Sequence, residues 1–270
     1  MTLKIPYSLL AMPHGISTVD GYDTLMPHDY GKLLNMRAFG YSDEWPSLIE
    51  NNLILSMLNA KYLIVDPSYG NLEDIRGLVK YSHSGEMTFA APISNKVPFS
   101  GDYAPIYKKI FEKDDIFAYE NLNVLPRVYG VTKLKATDTI NDLRVNLYAF
   151  QKDPHREAAV SSKDLKEIGK TDFSDGKVKI LKYSPNIVSI EADFNGAGFL
   201  VLSDQFYPGW KAYIDGKQTK IYKTNGVLRG IVVPPGGHEV IFRYSPGKIY
   251  AAMAFSGTLL AGLLVLWLFS

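Results

Sequence analysis

The chain contains no cysteine. Disulfides, thiolate metal sites and cysteine nucleophiles are therefore excluded, and the redox compartment is left open. It also lacks an excess of either charge: 29 Lys and Arg face 28 Asp and Glu, a formal net charge of +1 over 270 residues. No run of basic residues is longer than the pair Lys108-Lys109. Proteins that track nucleic-acid phosphates carry a basic excess or stripe, so no nucleic-acid partner is expected. The five histidines are scattered and none has ligand spacing, which gives no metal site. Nucleophile elbow, P-loop and dinucleotide fingerprint are all missing, so no catalytic residue is assigned and no cofactor is expected in this chain. The N-terminal stretch, interrupted by Pro6 and Pro13, does not read as a signal peptide. No internal repeat or low-complexity segment is visible.

What is present begins with a hydrophobic content of 46%, enough for a real core. The stretch AAMAFSGTLLAGLLVLWLF, residues 251–269, has no charged residue. As a helix it would span about 28 Å at ~1.5 Å per residue, close to the ~30 Å of a bilayer's hydrocarbon. It is expected to be a membrane span, with Trp267 near an interface. The lipid bilayer is thus an expected partner.

Upstream, the pattern predicts a mixed α/β domain over 1–170, a small antiparallel β-sandwich over 171–247 and a transmembrane helix over 248–270; the class is α+β. Helices are expected near Tyr30, Leu33 and Leu34, through SLIENNLILSMLNA, and at TINDLRVNLYAF with Asp138 as N-cap. Strands are expected at KYLIVD and LPRVYGV, and IYKKIFEKDDIFAYEN reads as a hairpin. Beyond Lys170, Val188, Ile190, Ala192 and Phe194 alternate, GFLVLSD is a compact apolar run, and Asp215-Gly216 signals a type I′ hairpin. Pro234-Pro-Gly-Gly237 marks a second turn, after which His238, Val240, Phe242 and Tyr244 share a strand face. There a hydrogen-bonded structural role is expected for His238.

Two groups of residues are candidates for glycan contacts. The polar loop HGISTVDGYDTLMPHDY holds Asp20, Tyr22 and Asp23, whose side chains suit sugar hydroxyls. The plainer alternative is that its aspartates serve turns and helix caps, Asp29 among the caps. Trp210, in FYPGWKAYIDG, either stacks on a pyranose from an exposed platform or packs between sheets, and burial is the commoner fate of such rings.

The segments SDQFYPGWKAYIDGK and NGVLRGIVVPPGGHEVIFRYSP, followed by an apolar stretch, resemble the C-terminal end of the YfhO family of bacterial multi-spanning membrane proteins. GYDTLMPHDYGKLLN, NNLILSMLNAKYLIVD, IFAYENLNVLPRVYGV and DPHREAAV are similar to that family's extracytoplasmic region. The resemblance implies a glycosyltransferase-like protein of the GT-C type, in which a bundle of membrane helices carries the catalytic acids. It implies a polyprenyl-phosphate-linked sugar donor, a cell-envelope glycan as acceptor, and a soluble part on the extracytoplasmic face. The catalytic bundle is not in this chain, so it is expected upstream or in a separate chain, and the chain alone is not expected to transfer sugar. Charge bias alone, with Arg243 and Lys248 before the apolar stretch, would place the soluble part in the cytoplasm. The resemblance implies the opposite side.

Overall fold

The structure is a computed structural model that describes residues 27–37, 41–42, 48, 53–65, 107–113, 116–149, 155–247, 256 and 258. The described part is mostly β. Its first elements are α1 (His28–Leu33), β1 (Met36–Arg37), β2 (Tyr41–Ser42), α2 (Leu53–Met57) and β3 (Tyr62–Val65). They are followed by β4 (Tyr107–Lys113), β5 (Ile116–Asn121), β6 (Val128–Val131), β7 (Lys133–Ala136), α3 (Ile140–Ala149), β8 (Glu157–Val160) and α4 (Ser162–Ile168). Eight more strands complete the order: β9 (Gly176–Ser184), β10 (Ile187–Phe194), β11 (Gly198–Gln205), β12 (Trp210–Ile214), β13 (Lys217–Thr219), β14 (Tyr222–Thr224), β15 (Leu228–Val233) and β16 (Gly236–Tyr244).

Two antiparallel sheets, β13-β12-β16-β10-β9 and β14-β15-β11-β6, pack face to face. The alternation in β10 sets one inner face: Val188, Ile190, Ala192 and Phe194 are buried, while Glu191 and Asp193 face outward. β11 has no such alternation. Its Leu200 and Leu202 join the core between the sheets, and its Phe199 and Val201 join a second core on the opposite face. That second core is filled by Leu33 of α1, Ile54 and Met57 of α2, Leu143 of α3 and Val160 of β8. A strand covered on both faces must be apolar throughout, which explains the continuous run in GFLVLSD.

Strand β6 lies upstream of residue 170 yet pairs with β11, Val128 opposite Leu202 and Val131 opposite Phe199. β7 and β8 pair in parallel across α3, forming a βαβ unit. Asn225 fastens this unit to the sandwich: its amide N–H donates to the Ala159 carbonyl (2.7 Å) and its Oδ1 accepts from the Ala159 N–H (2.8 Å).

Several local readings change. Asp138 does not cap α3; Thr139 does, its Oγ1 accepting the Asp142 N–H at 3.0 Å. The Asp138 carboxylate instead accepts from the N–H and hydroxyl of Ser162, at 2.7 and 2.6 Å. Asp29 caps nothing: α1 follows Pro27 without a side-chain cap, and the Asp29 carboxylate pairs with Lys223 Nζ at 2.7 Å. Helix α4 was not anticipated, although Ser161 and Asp164 form a capping pair and Gly169 closes it in the left-handed region. The expected span over 248–270 lies outside the described residues except for Ser256 and Thr258. Among the described residues no helix is long and apolar enough to cross a membrane.

Candidate functional site

Strand ends from both sheets converge where β16 finishes. Trp210 opens β12 and sits opposite Tyr244 of β16, the two rings 5.5 Å apart and tilted by 47°. Gly209, at φ +102°, precedes Trp210; a Cβ there would stand 2.8 Å from Tyr244 Cε2. The Pro-Gly bend therefore lets the backbone run against the tyrosine ring, a close approach that a side chain would block.

Arg229 of β15 covers the Trp210 ring, its guanidinium carbon 3.6 Å from the centroid. The Arg229 side chain is only 5% exposed. Its Nε donates to the Gln205 carbonyl at 2.9 Å, and a terminal nitrogen lies 3.5 Å from Asp204 Oδ2. The other oxygen of Asp204 accepts from Arg127 (3.2 Å) and from the Tyr183 hydroxyl (2.9 Å). One carboxylate thus serves two guanidiniums and a phenol.

Burial lowers the Arg229 guanidinium to about 10, opposed by the nearby Asp204 charge. The Tyr183 phenol is raised, first by burial and then by Asp204. At neutral pH Arg229 stays charged, and two guanidinium groups share the one carboxylate. Arg229 is enclosed, while Arg127, 31% exposed, keeps part of its side chain at the surface.

At the opposite end of the sandwich the His238 ring bridges two acceptors: Asp215 Oδ2 at 2.6 Å and the Pro235 carbonyl at 3.1 Å. Asp215 and Gly216 form the expected tight turn, with φ of +48° and +78°, and Asp215 Oδ1 also accepts the Glu239 N–H. Two acceptors require both ring nitrogens to be protonated. The Asp215 bond accordingly raises the His238 pKa, and the His238 bond lowers that of Asp215. The structural role expected for His238 is what the geometry shows.

A stability profile follows from these directions. The His238 contribution is complete below its ordinary value near 6.5 and is lost as pH rises through the raised one. The Asp215 contribution is present above about 4 and is lost as pH falls through the lowered one. Melting temperatures of the native chain and His238→Gln, measured at pH 5.5 and 8.5, should therefore converge at the alkaline pH. An equal gap at both would refute the charged clasp.

Of the residues singled out in the sequence, Asp20, Tyr22 and Asp23 lie outside the described residues. Trp210 is placed: it is half-buried, with one face taken by Arg229. Arg127, Asp204 and Arg229 were missed, because each is an isolated charge in an apolar strand context and only the sheet pairing brings them together. The Asp of LSDQ, just after the apolar run FLVL, and the Arg of VLRG, between buried Leu228 and Gly230, were the available signal.

Residues 161–256 match the bacterial membrane protein YfhO family. The YfhO match runs from α4 through the whole of β9–β16 and into the apolar C-terminal stretch, so it includes Asp204, Trp210, Arg229 and Tyr244. It bears out the YfhO resemblance over this portion, and with it a membrane-associated family. Arg127 and the upstream segments expected to be similar lie before the match. No curated protein and no solved structure matches the chain.

Proposed function

We propose that this chain is the extracytoplasmic region of a GT-C-like membrane glycosyltransferase acting on cell-envelope glycans. The observation that carries the reading is the YfhO match, which spans the sandwich and enters the apolar stretch at residues 251–256. In this reading the catalytic acids belong to a multi-spanning bundle, encoded upstream or supplied by a separate chain. The bundle uses a polyprenyl-phosphate-linked sugar, and the loop with Asp20, Tyr22 and Asp23 faces the bundle and its glycan. The soluble part lies over the bundle on the outer face.

Membranes holding the bundle with and without this chain test the reading, with labelled sugar on a polyprenyl phosphate as donor. Transfer is expected only when both are present. Transfer by this chain alone, or by the bundle equally well without it, would sink the proposal.

A second reading, a purely structural module, is favoured by one observation: the Trp210 face that would stack on a sugar is covered by Arg229. Glycan-array binding that disappears in a still-folded Trp210→Ala variant would count against that reading and for a membrane-anchored carbohydrate-binding module. Loss of stability without any glycan binding would support it.

A further inference from the structure

The charges of the sandwich are distributed unevenly between its ends. Where β16 finishes, Lys182, Lys211, Arg229 and Arg243 lie on adjoining strand ends and Arg127 just before β6, with Asp204 among them and Asp29 on Lys223, which is opposite Arg229. Asp204 is engaged by Arg127 and Arg229. Lys182, Lys211 and Arg243 are exposed, and none forms an ion pair among the described residues. At the opposite end the charges are mixed: Asp175, Asp193, Asp215 and Glu239 alternate with Lys177 and Lys217.

The basic end also presents apolar and amphipathic side chains. Tyr207 is 49% exposed and Leu181 54%, whereas the Tyr183 hydroxyl is held by Asp204. Tyrosine rings with a wet hydroxyl and an apolar body are favoured at the level of lipid headgroups. Lysine and arginine beside them can reach lipid phosphates.

Connectivity points the same way. Only residues 245–250 separate Tyr244 from the apolar stretch 251–269. Six residues reach at most about 20 Å even when fully extended. A membrane that holds 251–269 therefore lies near the basic end of the sandwich, while the mixed end is about eight strand residues, or ~26 Å, further along.

We propose that the β16 end of the sandwich docks on an anionic bilayer surface, with Lys182, Lys211 and Arg243 against lipid phosphates and Tyr207 at headgroup depth. The proposal rests on reading 251–269 as a membrane span. The tether supplies proximity, and the three exposed cations supply the attraction, which acts over a screening length of about 8 Å at physiological salt. Each cation near an anionic surface shifts the docked-to-free ratio about fivefold.

The absence of cysteine makes the test direct. Asn186→Cys places a single spin label at the basic end, in the exposed turn between β9 and β10, and Lys217→Cys places one at the mixed end. The full chain is reconstituted in vesicles of phosphatidylglycerol or of phosphatidylcholine doped with a nickel-chelating lipid, whose headgroup speeds relaxation of nearby labels. Faster relaxation at position 186 than at 217 is expected in phosphatidylglycerol, and the difference should shrink in phosphatidylcholine and in 1 M salt (roughly a 3 Å screening length). Reversal of the three cations (Lys182→Glu, Lys211→Glu, Arg243→Glu) should lower the docked-to-free ratio by more than about a hundredfold and bring the two positions together. If that variant does not fold, the corresponding glutamine variants must still reduce the difference. An inserted chain whose labels relax equally, or whose difference is the same in both lipids or survives the substitutions, overturns the docking. A chain washed from the vesicles by alkaline carbonate removes the span itself, and the docking falls with it.

Discussion

Arg229→Ala is expected to destabilise the protein by about 1–3 kcal/mol, the cost of leaving buried polar groups short of a partner. The reasoning turns on burial. The side chains of Arg229 and Asp204 are 5% and 11% exposed, so water does little for either, and Asp204 is left with Arg127 and the Tyr183 hydroxyl. A surface pair of the same geometry would be worth less than about 1 kcal/mol. The substitution also uncovers the Trp210 face that the guanidinium contacts at 3.6 Å.

Asp204→Asn should be comparably harmful, because it leaves two guanidiniums facing each other without their carboxylate. Arg229→Met together with Asp204→Leu should recover much of the loss, since apolar replacements of a buried pair often cost little. Urea unfolding followed by tryptophan fluorescence gives the three values. An Arg229→Ala cost below about 1 kcal/mol would show that the cluster behaves as a surface pair and that the burial argument is wrong.

The second large effect centres on Phe194. Its ring fills the end of the inter-sheet core away from Trp210 and is completely enclosed. Three glycines make room for it: a Cβ on Gly198 or on Gly176 would lie 2.3 Å from Phe194 Cδ1, and one on Gly130 would lie 2.9 Å from its Cε1. Phe194→Ala should cost about 3–5 kcal/mol through lost burial and the cavity left behind.

Gly198→Ala should cost about 1–3 kcal/mol by overpacking. The diagnostic is their combination. Once the ring is gone the added methyl has space, so Phe194→Ala with Gly198→Ala should lose less than the sum of the two single variants. Strict additivity would mean that the ring and the glycines do not constrain one another.

Much of the sandwich could be read directly because its signals are local. The alternation in β10 reports one buried face, and Asp215-Gly216 reports a tight turn whose φ values only certain residues tolerate well. His238 could be placed on a strand face from spacing, and its hydrogen-bonded role followed. The identity of the Thr139 cap was less accessible. Thr139 and Asp138 are adjacent and both are good caps, and the choice was made by Ser162, which draws the Asp138 carboxylate across to α4.

The polar cluster around Trp210 was not legible in that way. Arg127, Asp204 and Arg229 come from three strands, and each looks like an isolated charge until β6, β11 and β15 lie side by side. The same holds for the uneven charge of the sandwich, since a chain with a net charge of +1 gives no hint of a basic end.

By itself, then, the sequence determined what short-range chemistry can dictate: absence of thiol chemistry, strand periodicity, turn positions, the apolar stretch 251–269 and the family resemblance over the sandwich. Tertiary structure alone decided which strand completes the second sheet, which face of Trp210 is covered and which charges share one end. The physical reason is that these depend on pairings between residues as far apart as Arg127 and Asp204, which contact only after the sheets have formed.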